Sequence, residues 1–91
     1  MLKIKDNVDL KELEKYGFIE DEFKVRLLYE QNRYTGLRVE KETKKIGLYN
    51  SVDIVVEKRT LDILYDLIKD GLVEKVEDKW NKLKYFIKIN Q

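Results

Sequence analysis

Residues 60–76, TLDILYDLIKDGLVEKV, constrain the fold most, because they carry a helix start and a helix stop around dense apolar content. Thr60 is placed as an N-cap whose hydroxyl accepts from first-turn N–H groups, and Asp62 complements the positive helix end. Leu61, Leu64, Tyr65 and Ile68 recur at i, i+3, i+4 and i+7, with Ile63 and Leu67 widening the stripe. Asp62, Asp66, Lys69 and Asp70 share the other side, so a helix over about 60–70 with one buried face is expected. Gly71 can take the left-handed C′ conformation without a Cβ penalty, which brings Leu72 back against Leu67. A strand over 72–76 follows.

Ninety-one residues fit one domain, 1–91, with a single modest core. The chain is too apolar for disorder at 43% hydrophobic, while 41% charged residues make its exposed surface ionic. Nineteen Lys and Arg against eighteen Asp and Glu leave a formal charge of +1, so no global field recruits nucleic acid or a membrane. Cysteine and histidine are absent, which removes thiolate chemistry, disulfides, the commonest general base and the commonest metal ligand. MLKIKDNV lacks the apolar core of a signal peptide, and no run is long enough for a membrane span, so a cytoplasmic location is expected.

Along the chain, Leu2 and Ile4 alternate with Lys3 and Lys5 as a short edge strand or ordered arm. Asp9, with Glu12 three residues on, offers the spacing of a capping box for a two-turn helix over about 9–16 that ends before Gly17. From Phe23 the period changes to two: Phe23, Val25, Leu27 and Tyr29 point one way. A three-residue loop with Asn32 left-handed would then set Leu27 opposite Thr35 in a hairpin. A charged turn over 40–44, strands over 45–49 and 52–58, the helix, and a final hairpin ending in the alternating Leu83, Tyr85, Ile87 and Ile89 complete the pattern. The expected class is α+β: an antiparallel meander with two helices on one sheet face. Residues 12–20, ELEKYGFIE, also echo 66–74, DLIKDGLVE, either as a pseudo-repeat or through shared helix-stop grammar.

Two surfaces stand out. The last hairpin interleaves Trp80, Lys82, Lys84, Phe86 and Lys88, a pattern suited to stacking bases along phosphates or to gripping an acidic protein with Trp80 as anchor. The alternative is that Trp80 packs under the turn and Phe86 under the N-terminal arm, leaving lysines that guard an edge. The hairpin around residue 32 carries Arg26, Tyr34 and Arg38, suited to a bidentate carboxylate or phosphate contact; cross-strand pairing with Glu30 and Glu40 explains the arginines equally. Without a nucleophile–base pair, a phosphate-cradling glycine loop or two acids isolated in an apolar setting, no catalytic residue, cofactor or metal is assigned, and an enzyme is not expected. Self-pairing through a strand over 83–89 would give a homodimer.

Residues 64–89 resemble the end of a winged-helix domain: an amphipathic helix, the turn DGLVEKV, the charged loop DKWNKLK and the returning strand YFIKI. That resemblance implies nucleic-acid binding through the 72–89 hairpin, with two further helices ahead of the recognition helix. MLKIKDNVDLKELEKYGF and LYDLIKDGLVEKVED are similar to small accessory proteins of phages and prophages from low-GC Gram-positive bacteria. This second resemblance implies a cofactor-free protein that binds a host or defence-system protein, including as an anti-CRISPR-type inhibitor. It transfers no site residues.

Overall fold

The computed structural model describes residues 1–50 and 55–76. Its elements are β1 (Leu2–Ile4), a 3-10 helix (Leu10–Tyr16), β2 (Ile19–Glu20), β3 (Arg26–Asn32), β4 (Thr35–Glu40), β5 (Lys45–Tyr49), α1 (Lys58–Lys69) and β6 (Val73–Lys75). Among the described residues the strands form one antiparallel sheet in the order β2-β3-β4-β5-β1-β6. The α+β class with two helices on one sheet face is therefore what the chain adopts. Leu13 of the 3-10 helix and Leu67 of α1 meet Ile4, Phe18, Leu27, Leu37 and Val39 in a single core. Burial of these apolar groups is the main favourable contribution to the fold.

Both helix stops take the form expected from their glycines. Gly17 (φ 90°) and Gly71 (φ 79°) are left-handed. The amide of Gly71 donates to the Ile68 carbonyl and that of Leu72 to Leu67, while Gly17 and Phe18 donate to Glu14 and Leu13 in the same pattern. Each closes the helix with a Schellman pair and leads into an outer strand of the sheet. The 12–20 and 66–74 echo is thus a shared local geometry, with Leu13 and Leu67 fully buried at matching positions. Asp9 caps the first helix, its carboxylate accepting from the Lys11 amide. Glu12 turns to Lys15 at 2.7 Å instead of reaching back.

Several expectations are corrected. First, β1 is not an edge: it lies between β5 and β6, with Leu2 opposite Ile46 and Ile4 opposite Val73. Lys44, left-handed at φ 62°, helps hold it there by donating from Nζ to the carbonyls of Val8 (2.7 Å), Asp6 (3.1 Å) and Lys5 (3.4 Å). Second, β3 begins at Arg26, not Phe23, because the Asp21 carboxylate accepts from the amides of Val25 and Arg26 and ties residues 21–25 into a turn. Phe23 and Val25 are left exposed.

Third, Leu27 faces Val39, and Asn32 pairs with Thr35 across a turn made by Arg33 and Tyr34. Asn32 shapes that turn with its side chain, which accepts from the Tyr34 amide, instead of with a left-handed backbone. The pairing slips between Glu30 and Asn32, so Gln31 has no partner opposite it on β4, and its side chain, in the same alternation as Leu27 and Tyr29, points into the covered face. Fourth, residues 55–57 form no strand and α1 starts at Lys58; the rest of the expected 52–58 strand, residues 52–54, lies outside the described residues.

Gln31 also explains the helix start. Its Oε1 accepts from the Glu57 amide at 2.8 Å and the Thr60 hydroxyl at 2.7 Å, and its Nε2 donates to the Val55 carbonyl at 3.0 Å. Glu57 occupies the N-cap without a capping side chain, and Thr60 lies one turn further in, fully buried. Anchoring Thr60 rotates the helix. The buried line runs through Thr60, Ile63, Leu64 and Leu67, leaving Leu61, Tyr65 and Ile68 of the expected stripe about half exposed.

Candidate interaction surface

With Leu27, Tyr29, Leu37 and Val39 committed to the core, strand alternation turns their neighbours to the opposite side. Cross-strand register then aligns Ile19, Leu28, Arg38 and Gly47 in one row, Glu30, Gly36 and Tyr49 in a second, and Arg26 beside Glu40 in a third. Both helices pack on the other face, and Arg26, Glu30 and Arg38 are exposed.

Two glycines shape this open face. A Cβ at Gly36 would run into the Tyr29 carbonyl oxygen and come within 2.7 Å of the Tyr49 hydroxyl, so the absent side chain is what lets the Tyr49 ring lie across β4. At Gly47 a Cβ would stand 3.1 Å from Arg38 Nε, and there the Arg38 side chain lies across β5. Each glycine is covered by its own cross-strand partner, Tyr49 over Gly36 and Arg38 over Gly47. Glycine in a strand commonly marks this kind of close approach.

A depression of about 250 Å³ results, lined by Arg26, Leu28, Glu30, Arg33, Arg38 and Tyr49. It shares Arg26, Leu28 and Glu30 with a neighbouring one of about 430 Å³ that reaches Ile19 and Phe23 beside the 21–25 turn. Glu40 belongs mainly to Arg26, whose Nε lies 3.0 Å from Oε1 and 3.2 Å from Oε2. Arg38 Nε is 3.9 Å from the same carboxylate, too long for a hydrogen bond. Burial pushes the Tyr49 phenol above its ordinary pKa, and the nearby Glu30 charge adds to the rise.

Of the residues expected at the second surface, Arg26 and Arg38 come together around Glu40, whereas Tyr34 stands in the hairpin turn with the Arg33 guanidinium 5.7 Å from its ring centre. Tyr49, Leu28 and Arg33 line the depression and were not singled out in the sequence. Their signal was the glycines at 36 and 47, each interrupting an alternating segment. Trp80, Lys82, Lys84, Phe86, Lys88 and the 83–89 strand lie outside the described residues. So does the charged loop and returning strand of the winged-helix resemblance; ahead of α1, the described residues carry the β3–β5 meander and the single 3-10 helix.

Among the described residues, no group of three or more acids could hold a metal ion, and no helix is long and apolar enough to cross a membrane. No protein-family model matches the chain, nor does any curated protein or solved structure.

Proposed function

We propose that this protein is a non-enzymatic interaction module that binds a protein partner through the open face of its sheet. The carrying observation is the pair Arg38 and Tyr49, each laid across a glycine of the neighbouring strand beside Leu28. Arginine and tyrosine dominate binding hot spots, and the two side chains here lie side by side on the exposed face of the sheet. Exposed Ile19 and Phe23 extend the face with apolar area. The biological setting we assign is that of phage- or prophage-encoded accessory proteins that inhibit a host or defence-system protein, of which anti-CRISPR inhibitors are one kind. The absence of cysteine and histidine supports action by occupation of a surface and not by chemistry.

Affinity capture from a bacterial host lysate, with and without nuclease, tests this reading. A protein retained after nuclease treatment and lost with Arg38→Glu is the expected result. Capture that disappears with nuclease would favour the nucleic-acid reading, binding through the 72–89 hairpin with Lys82, Lys84 and Lys88 on phosphates, in which affinity falls steeply with salt.

A further inference from the structure

Resting on the open-face reading, we infer that Arg38 is the seat for a single carboxylate of the partner, an Asp or Glu side chain flanked by an apolar residue. Arg26 engages both Glu40 oxygens through its Nε, at 3.0 and 3.2 Å. Arg38 has only the 3.9 Å approach to that carboxylate among the described residues. Among the described residues its guanidinium therefore makes no hydrogen bond to an acid, and such a planar donor fork matches a carboxylate bidentately.

Charge decides between carboxylate and phosphate. Arg26, Arg33 and Arg38 around the depression face two carboxylates, Glu30 in its lining and Glu40 on Arg26. With Glu20, Asp21 and Glu22 lining the adjoining depression, carboxylates outnumber the arginines, so a phosphate dianion is repelled more strongly than a single carboxylate, which the Arg38 fork can seat as a monoanion. The surroundings specify the rest of the ligand. Leu28 and the Tyr49 ring line the depression beside the guanidinium, and exposed Ile19 and Phe23 continue it, so the flanking group they accept is apolar.

Gly47 is the positioning element. Because a Cβ there would lie 3.1 Å from Arg38 Nε, a methyl group would lift the guanidinium off the sheet without removing its charge.

The test is an NMR titration of the full-length protein with sodium benzoate, benzamide as its neutral counterpart, and inorganic phosphate, at fixed ionic strength. Benzoate is expected to move the Arg38 Nε–H and Leu28 methyl signals along a saturating curve, with benzamide and phosphate giving much smaller shifts. Arg38→Lys keeps the charge but loses the fork and is expected to weaken benzoate about tenfold; Gly47→Ala is expected to weaken it several-fold with Arg38 retained. Equal responses to benzoate and benzamide, tighter binding of phosphate, or nuclear Overhauser contacts from residues 77–91 to Leu28 and Tyr49 would each overturn the assignment. Lysate capture separates the two levels. Loss of the captured protein in Arg38→Glu with no benzoate selectivity keeps the docking face and removes the carboxylate. Capture indifferent to Arg38→Glu removes the docking face, and with it the partner's carboxylate, whatever benzoate does.

Discussion

The two faces of the sheet are built from alternate residues of the same strands, yet they handle polar groups in opposite ways. On the covered face every buried polar side chain among the described residues has a partner. Thr35 Oγ1 donates to Asn50, and Gln31 holds residues 55, 57 and 60. On the open face Arg38 lies across Gly47 with its nearest described carboxylate 3.9 Å away. A polar group removed from water must be satisfied internally, whereas one left in water keeps its hydration until something displaces it. The first arrangement sets structure; the second is free to set affinity.

The largest effect should therefore come from the covered face. Gln31→Leu would leave the Glu57 amide, the Thr60 hydroxyl and the Val55 carbonyl without the side chain that now serves all three. A loss of about 3 kcal/mol is expected in chemical denaturation, a large fraction of what a small domain has. Adding Thr60→Val removes one stranded polar group, so the double variant should recover part of that loss. Strictly additive losses would mean that Gln31 and Thr60 do not act as a unit.

Gln31 also marks where the sequence stopped being legible. Local grammar was readable: the caps at Asp9, Gly17 and Gly71, and the 45–49 strand, depend on residues within one turn or one alternation. Alternation with Leu27 and Tyr29 puts Gln31 on the covered face, but nothing nearby says that it will lack a partner on β4 and start a helix by holding the Glu57 amide 26 positions later. That unseen anchor is why α1 begins before Thr60 and turns Leu61, Tyr65 and Ile68 outward. The placement of β1 was hidden for the same reason, since its partners lie at 45–46 and 73–75. Of the open face, Arg26 and Arg38 could be read from alternation, but Tyr49 needed the β4–β5 register that sets it against Gly36.

A smaller effect, confined to high pH, tests the helix layer of the covered face. The Tyr16 hydroxyl donates to Asp70 Oδ2 at 2.6 Å, joining the ends of the two helices. That hydrogen bond, with burial and the Asp70, Asp66 and Glu12 charges adding to it, pushes the phenol up to about 12. The folded state thus holds this proton more tightly than the unfolded chain, whose phenol titrates near its ordinary value of about 10. The contribution is complete below that value and is lost as pH rises through about 12. Wild type should lose stability more steeply than Tyr16→Phe over this alkaline window and should match its pH dependence below it. Equal alkaline slopes would show that the contact does not couple the helix ends.

The smallest effect belongs to the open face, and it is the one on which the contrast depends. Arg38→Ala removes an exposed side chain whose closest charge contact is long, so stability should change by no more than about 0.5 kcal/mol. Gly47→Ala should also cost little, because the atom its Cβ meets at 3.1 Å belongs to the Arg38 side chain, which can swing into solvent. Gly36→Ala should behave differently, because its Cβ meets the Tyr29 backbone carbonyl as well as the Tyr49 ring, and the backbone cannot step aside. Denaturation midpoints of the three variants rank these roles. If Arg38→Ala unfolded as readily as Gly36→Ala, Arg38 would be part of what holds the sheet together, and the division between a structural face and a binding face would fail. Unchanged stability in Arg38→Ala together with lost partner capture in Arg38→Glu would place its role in recognition, since nothing in the fold would then depend on where the guanidinium lies.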